Sequence, residues 1–258
     1  MAVVDPQQEE RDVDGQGLSA GDPSGYQAAE AQAGSHAGRL NSLRAAVLGA
    51  NDGIVSTAGI VIGVAGATLE PFAILTAGIA GLSAGALSMA VGEYVSVSAQ
   101  RDTERALLDK ERRELAEMPE EELAELAGLY EAKGLDPALA LEVATQLHAH
   151  DALAAHAETE LGIDPDNLTS PWVAAVSSAV SFTVGSLLPL LAIVLAPTSL
   201  KIVITVAAVV AALVLTGFLS ARAGGTPHLR SILRNVAGGL LAMGVTYWIG
   251  RLVGHTLG

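Results

Sequence analysis

The chain has 258 residues, half of them hydrophobic, and only 16% charged, yet its formal net charge is −14. Ordinary soluble domains are roughly 25% charged, so this composition argues against a single water-soluble globule, and the missing basic patch argues against a nucleic-acid partner. The absence of cysteine excludes a disulfide framework, a thiolate zinc site, an iron–sulfur cluster and a cysteine nucleophile.

The charges are segregated. Of the 28 acidic residues, 19 fall between Glu93 and Asp166, and none follows Asn167. Residues 1–38 are polar, acidic and without apolar periodicity; their start, MAVVDPQQEERD, has neither a basic nor an apolar signal region. They are expected to be a disordered cytoplasmic tail.

A spanning helix needs roughly 20 apolar residues. Residues 45–69 carry one charge, Asp52, and residues 71–92 carry none. A third uncharged run holds a span from about Trp172 to before Pro197, residues 202–221 give a fourth, and the shorter 235–250 gives a fifth, with Arg251 placed to snorkel at its end. With the N-terminus inside, Arg39, Arg44, the block from Arg101 to Lys133, Arg222, Arg230 and Arg234 are all cytoplasmic, leaving Lys201 and Arg251 outside. The expected fold class is thus all-α: a polytopic membrane protein with transmembrane helices 1–2 in residues 39–96, a cytoplasmic acidic three-helix insert in 97–168 and transmembrane helices 3–5 in 169–258.

Within the insert, the first helix is expected from Val97 to Met118, continuous with span two. Pro119 opens the second, with Glu120 to Glu122 favouring its positive N-terminal end, and it closes near Lys133-Gly134. Asp136 is the expected N-cap of the third, with Pro137 at its first position, and that helix runs to Leu161-Gly162.

Several side chains in this pattern bear chemistry. An ionisable group inside a span costs on the order of 3 kcal/mol on insertion scales, so Asp52 either faces an ion path, a proton relay or a partner, or sits near the interface and meets water. Met89 and Glu93 lie one turn apart on one helix face. Met89 alone reads as ordinary packing, but a thioether among carboxylates shifts metal preference from Mg²⁺ and Ca²⁺ towards Fe²⁺, Mn²⁺ or Co²⁺. In the insert, Glu104, Glu111 and Glu114 share a face of the first helix, Glu122 and Glu125 are three apart on the second, and His156 and Glu160 are four apart on the third. They suit a multi-metal pocket or, since Arg101, Arg105, Lys110, Arg112 and Arg113 interleave with them, a solvated acidic face. No E-x-x-H pair occurs, so a ferritin-type di-iron oxidase is not indicated.

Gly81-Leu82-Ser83-Ala84-Gly85 matches the G-x-S-x-G nucleophile pattern, but none of the six histidines lies mid-span to serve as its base. Small-residue packing explains the pattern better. There is no H-E-x-x-H and no Gly-rich phosphate loop. Gly49/Gly53, Gly59/Gly63 and Gly81/Gly85 have the spacing of close helix contacts, between subunits or within one.

NDGIVST in span one, AGALSMAVGEYVSVSAQRDTE leaving span two, the acidic insert and the ELG near its end resemble the vacuolar iron transporter (VIT) family, and within it the nodulin-like, bacterial branch. The resemblance covers about residues 40–257. It implies a homodimeric secondary transporter, not an enzyme, that carries Fe²⁺, with Mn²⁺ as an alternative cargo, out of the cytoplasm in exchange for protons, through a path at the dimer interface lined by Asp52 and Met89. In a bacterium the bilayer would be the plasma membrane. The metal ions are substrate rather than cofactor. The resemblance also implies that Glu111, Glu114, Glu122, Glu125 and Glu160 bind metal in the insert. Where plant-type members carry a Met pair, this chain has His156 and Ala157; His156 can still ligate Fe²⁺. Where they carry a Glu in mid span two, this chain has Gly81, which leaves Glu93 as the candidate for that carboxylate. The competing function is a membrane-anchored metal sensor or buffer through which nothing crosses.

Overall fold

The computed structural model describes residues 46–257, and these are all helix and connecting turn, with no strand among them. The expectations for residues 1–38 and for Arg39 and Arg44 lie outside the described residues. Five helices are long and apolar enough to cross a membrane: α1 (Ala46–Ala67), α2 (Pro71–Glu117), α5 (Pro171–Leu195), α6 (Lys201–Gly224) and α7 (His228–Leu257). Between α2 and α5 come α3 (Pro119–Ala132), α4 (Pro137–His156) and a π-helical turn at Ala157–Leu161.

Local chemistry sets these boundaries. Glu70 caps α2, its Oε1 accepting from the Phe72 N–H at 3.4 Å, and Pro71 fills the first position, where its missing N–H costs nothing. Nothing breaks the helix for 47 residues, about 70 Å at 1.5 Å per residue. That is more than twice the roughly 30 Å of a bilayer's hydrocarbon, so α2 leaves the apolar zone and continues as the first helix of the insert. Pro119 starts α3 and Asp136 caps α4, accepting from the Ala138 N–H at 3.0 Å. Gly134 (φ 103°) and Gly162 (φ 66°) take the left-handed turns that end α3 and the π turn.

The third insert helix differs from its expected form. Asp151 has non-helical dihedrals (φ −156°, ψ 97°), and its Oδ1 accepts from the Ala154 N–H at 2.9 Å, so it caps a second segment inside α4. An Asp side chain that satisfies a local N–H offers the backbone an alternative to the helix. The segment after Asp151 then widens into the π turn, a geometry that changes the rotation between His156 and Glu160. The fifth span is also longer than its uncharged stretch: α7 carries Arg230 and Arg234 in its first two turns and Arg251 near its end. Their long stems can run along apolar surface while the guanidinium groups reach polar surroundings.

The membrane bundle is built around α1. Ile54, Ala58, Val61, Ile62 and Ala65 are all buried. Gly53 sits against the Phe182 backbone of α5, where Ser186 Oγ donates to Gly53 O at 3.2 Å; Asn51 Oδ1 accepts from Thr216 of α6 at 3.1 Å; Gly63 meets Thr246 of α7. Gly81 of α2 lies against Ile60, and Gly85 against Phe182. All three glycine pairs read from the sequence therefore have contacts within the chain. Small residues let backbones approach closely where apolar surface gives no drive for helix association. The outward face is the reverse: Phe72, Leu87, Trp172, Leu195, Leu241 and Trp248 are among many large exposed apolar residues, the pattern of a protein solvated by lipid.

Candidate metal centre

The C-terminal third of α2 packs against α3 and the end of α4, and the small apolar core there consists of Leu126, Ala127 and Ala144 with Leu123, Tyr130 and Ala155 around it. Tyr130 Oη and Thr159 Oγ1, 3.3 Å apart, tie the π turn to α3. Beside this core three buried polar side chains converge, one from each helix: Glu111 (α2), Glu122 (α3) and His156 (α4), with relative exposures of 3%, 5% and 0%. One donor atom from each lies within 4.8 Å of the other two.

His156 Nδ1 is 3.0 Å from Glu111 Oε1, 3.6 Å from Glu122 Oε2 and 4.0 Å from Glu160 Oε2. Despite this proximity, Glu111 Oε1 and both imidazole nitrogens make no hydrogen bond. Burying such groups unpaired costs roughly 1–3 kcal/mol each, and native interiors satisfy nearly all of them. Burial first, then the Glu160, Glu122 and Glu114 carboxylates, push the Glu111 carboxyl up to about 7. Glu122 is also raised, by burial and then by Glu125, as is Glu160, again by burial and then Glu125. His156 is lowered by burial and by neighbouring His148. The close His156–Glu111 contact is therefore no strong ion pair at neutral pH. Burial disfavours the charged form of both partners, and like charges crowd in.

A dication would satisfy the donors of that arrangement. Bonds of about 2.1 Å place ligand atoms up to about 4.2 Å apart across an ion, so the observed spread needs less than an ångström of closure. Two carboxylates and an imidazole, with no thiolate, suit Fe²⁺, Mn²⁺ and neighbouring divalent metals. Of the remaining residues expected here, Glu160 is exposed at the rim of the cluster. Glu114 is half-buried and engaged by Lys110 Nζ at 2.6 Å, and Glu125 is exposed. Both reach the cluster through their fields rather than as part of the buried triad. His148 was not singled out from the sequence. Its ring lies 5.8 Å from that of His156, edge to face, and its Nδ1 is buried without a partner. The only sequence signal for it was its spacing of eight from His156 on one helix, which the Asp151 kink makes unreliable.

The bundle holds the other candidates. On α1, Asp52, Ser56 and Ile60 follow one i±4 ridge; on α2, Gly81, Gly85, Met89 and Glu93 follow another. Ile60 and Gly81 touch, and the helices are antiparallel. Eight residues back along α1 and eight forward along α2, about 12 Å in each case, bring Asp52 and Met89 to one depth. Asp52 is exposed, and Met89 and Glu93 are half-buried. The Tyr94 and Trp172 rings lie tilted against one another with centroids 4.8 Å apart; taking this aromatic pair as the marker of a membrane–water boundary, Glu93 falls at that boundary and Asp52 and Met89 about one turn inside it. Glu111 is 17 positions beyond Tyr94 on the same helix, about 25 Å outside.

A profile described as VIT family matches residues 43–251. A vacuolar iron transporter of Acanthamoeba castellanii is 44% identical over 216 residues, 83% of this chain and 80% of that protein. Vacuolar iron transporter homolog 5 of Oryza sativa subsp. japonica is 38% identical over 217 residues (84% and 82%), and vacuolar iron transporter homolog 4 of Arabidopsis thaliana is 36% identical over 217 (84% and 86%).

Proposed function

The chain belongs to the VIT family of integral membrane proteins, and from that premise we propose that it exports Fe²⁺, or Mn²⁺, from the cytoplasm in exchange for protons. The observation that carries the reading is the buried triad of Glu111, Glu122 and His156, in which Glu111 Oε1 and both His156 nitrogens have no hydrogen-bond partner. It captures the ion at the cytoplasmic face, with Glu160, Glu114 and Glu125 supplying negative potential at its rim. The ion then passes Glu93 and enters the bundle between Asp52 and Met89. A proton on Asp52 competes with the metal there, so loading from one side and protonation from the other couple the two fluxes.

A homodimer completes this path. Asp52 is exposed in the single chain, and Ala80, Ala84, Ser88, Gly92 and Ser96 form an exposed small-residue ridge along α2. A second copy packed on that ridge would remove the Asp52 carboxylate from lipid and line the path from both sides. The Lys and Arg bias puts the insert in the cytoplasm, and the bilayer in a bacterial cell is the plasma membrane.

The test is uptake of Fe²⁺, Mn²⁺, Co²⁺ and Zn²⁺ into proteoliposomes with and without an imposed pH gradient. Export by exchange predicts metal flux that rises with the gradient and a counter-movement of protons. Metal binding without flux would identify a membrane-anchored sensor or buffer instead.

A further inference from the structure

Away from the metal centre, at the opposite end of the bundle, a cavity of about 320 Å³ opens between the starts of α2 and α6 and the end of α5. Its lining includes Phe72, Ile74, Ile193 and Val194, together with two charged residues, Glu70 and Lys201. Lys201 is only 5% exposed. Among the described residues its ammonium has no carboxylate within 4.0 Å and no hydrogen-bond acceptor. It is also the first residue of α6, whose N-terminal N–H groups have no capping side chain. A largely buried lysine side chain without a salt-bridge partner and the positive end of a 24-residue helix thus meet in one cavity.

Two features narrow the occupant. The volume is about ten times the ~30 Å³ share of one water, too large for a lone ion. Ile74 and Ile193 form an apolar floor, while Phe72 (75% exposed) and Val194 (39%) open the mouth to the lipid-facing side. Glu70 lines the same space without pairing with Lys201; one of its oxygens accepts from the Phe72 N–H and the other is free. A purely anionic ligand would be repelled by that carboxylate. A headgroup carrying a phosphate and a hydrogen-bonding ammonium meets both charges.

We propose that this cavity is a binding site for a phosphatidylethanolamine-type phospholipid in the leaflet opposite the insert. Its phosphate sits against Lys201 and the first turn of α6, its ammonium against Glu70, and its acyl chain runs over Phe72 and Val194. The lipid ties α2, α5 and α6 together at the end where only short loops connect them.

The experiment is lipid binding to the full-length, delipidated protein in detergent by native mass spectrometry, with thermal unfolding in parallel. The probes are phosphatidylethanolamine, phosphatidylcholine and phosphatidylglycerol with the same acyl chains, and inorganic phosphate. Phosphatidylethanolamine is expected to bind about tenfold tighter than phosphatidylcholine, the scale of one charge-assisted hydrogen bond, and to raise the unfolding temperature most. Lys201→Met weakens binding of all three lipids about tenfold, and Glu70→Gln removes the preference for phosphatidylethanolamine over phosphatidylcholine, with metal binding at the insert unchanged in both. Equal retention of all three lipids by the wild type overturns the proposal without any variant. Inorganic phosphate protecting as well as the lipid overturns it in favour of a free-anion site. Should Lys201→Met not fold, Val194→Trp, at the lipid-facing mouth, blocks the cavity and must abolish the same preference.

Discussion

The bundle and the insert bury opposite things. Around α1 the interior joins Gly, Ala, Ser, Thr and β-branched residues to a few larger ones, Phe182, Leu190, Leu213 and Met243, while many other large apolar side chains point outward. In the insert the buried apolar residues are few and mostly small, Leu108, Leu126, Ala127, Ala140, Ala144 and Ala157 among them, and the most enclosed polar groups are a histidine and two glutamates. Lipid already solvates the bundle's outer surface, so close backbone contact is what holds that region together. Water solvates the insert, whose long acidic helices are held by a small core, and its buried carboxylates work against the fold until a cation joins them. One region is closed by its own packing; the other keeps a buried cluster that a cation would complete.

The most severe way to break this contrast is in the bundle. Gly53→Val places a branched side chain into the Phe182 backbone and Ser186 Oγ, a clash that backbone cannot relieve, and the expected outcome is loss of folded protein in detergent by size-exclusion chromatography. Asp52→Ala leaves that packing untouched, because Asp52 is exposed. It should reduce metal flux in proteoliposomes to background while metal binding at the insert persists, and flux at the wild-type rate would remove Asp52 from the path.

In the insert, His156→Ala removes one of three buried donors. Outer-shell changes alone typically cost 10–100-fold in metal affinity, so at least about 100-fold weaker Fe²⁺ or Mn²⁺ binding is expected by titration calorimetry of the full-length protein. Acid should act in the same direction. Because the metal displaces the Glu111 proton, held up to about 7, affinity is expected to fall towards about tenfold per pH unit below neutrality. The sign for the metal-free protein is opposite. A carboxyl whose folded value exceeds its unfolded one contributes stability at low pH that is lost as pH rises through about 7. The stabilisation conferred by metal should therefore be larger at pH 8 than at pH 6 in thermal unfolding. The smallest effect is expected of His148→Ala. Its ring lies beside His156 rather than on the carboxylates, and a loss of about tenfold, the low end of the range for a partner that orients a ligand, is expected.

Sequence alone was enough for five membrane-crossing helices, since an uninterrupted run of apolar residues has no other stable home, and for the Pro119 and Asp136-Pro137 helix starts, which are local hydrogen-bond and ring chemistry. It also picked out the acids and the one imidazole of the metal centre as candidates. It could not decide which of them meet. Glu111 and Glu122 are buried while Glu114 and Glu125, three positions on, are not, because the α2–α3–α4 packing admits one position from each helix. The kink at Asp151 and the π turn after His156 set that choice, and both depend on how a backbone resolves competing hydrogen bonds rather than on periodicity. The glycine pairs marked close contact but not with which helix; tertiary packing turned them inward and left the Ala80–Ser96 ridge outside. The depth shared by Asp52 and Met89, and the cavity that holds Lys201, likewise exist only once antiparallel helices are brought into register, because a side chain's neighbours in space are fixed by packing, not by spacing along the chain.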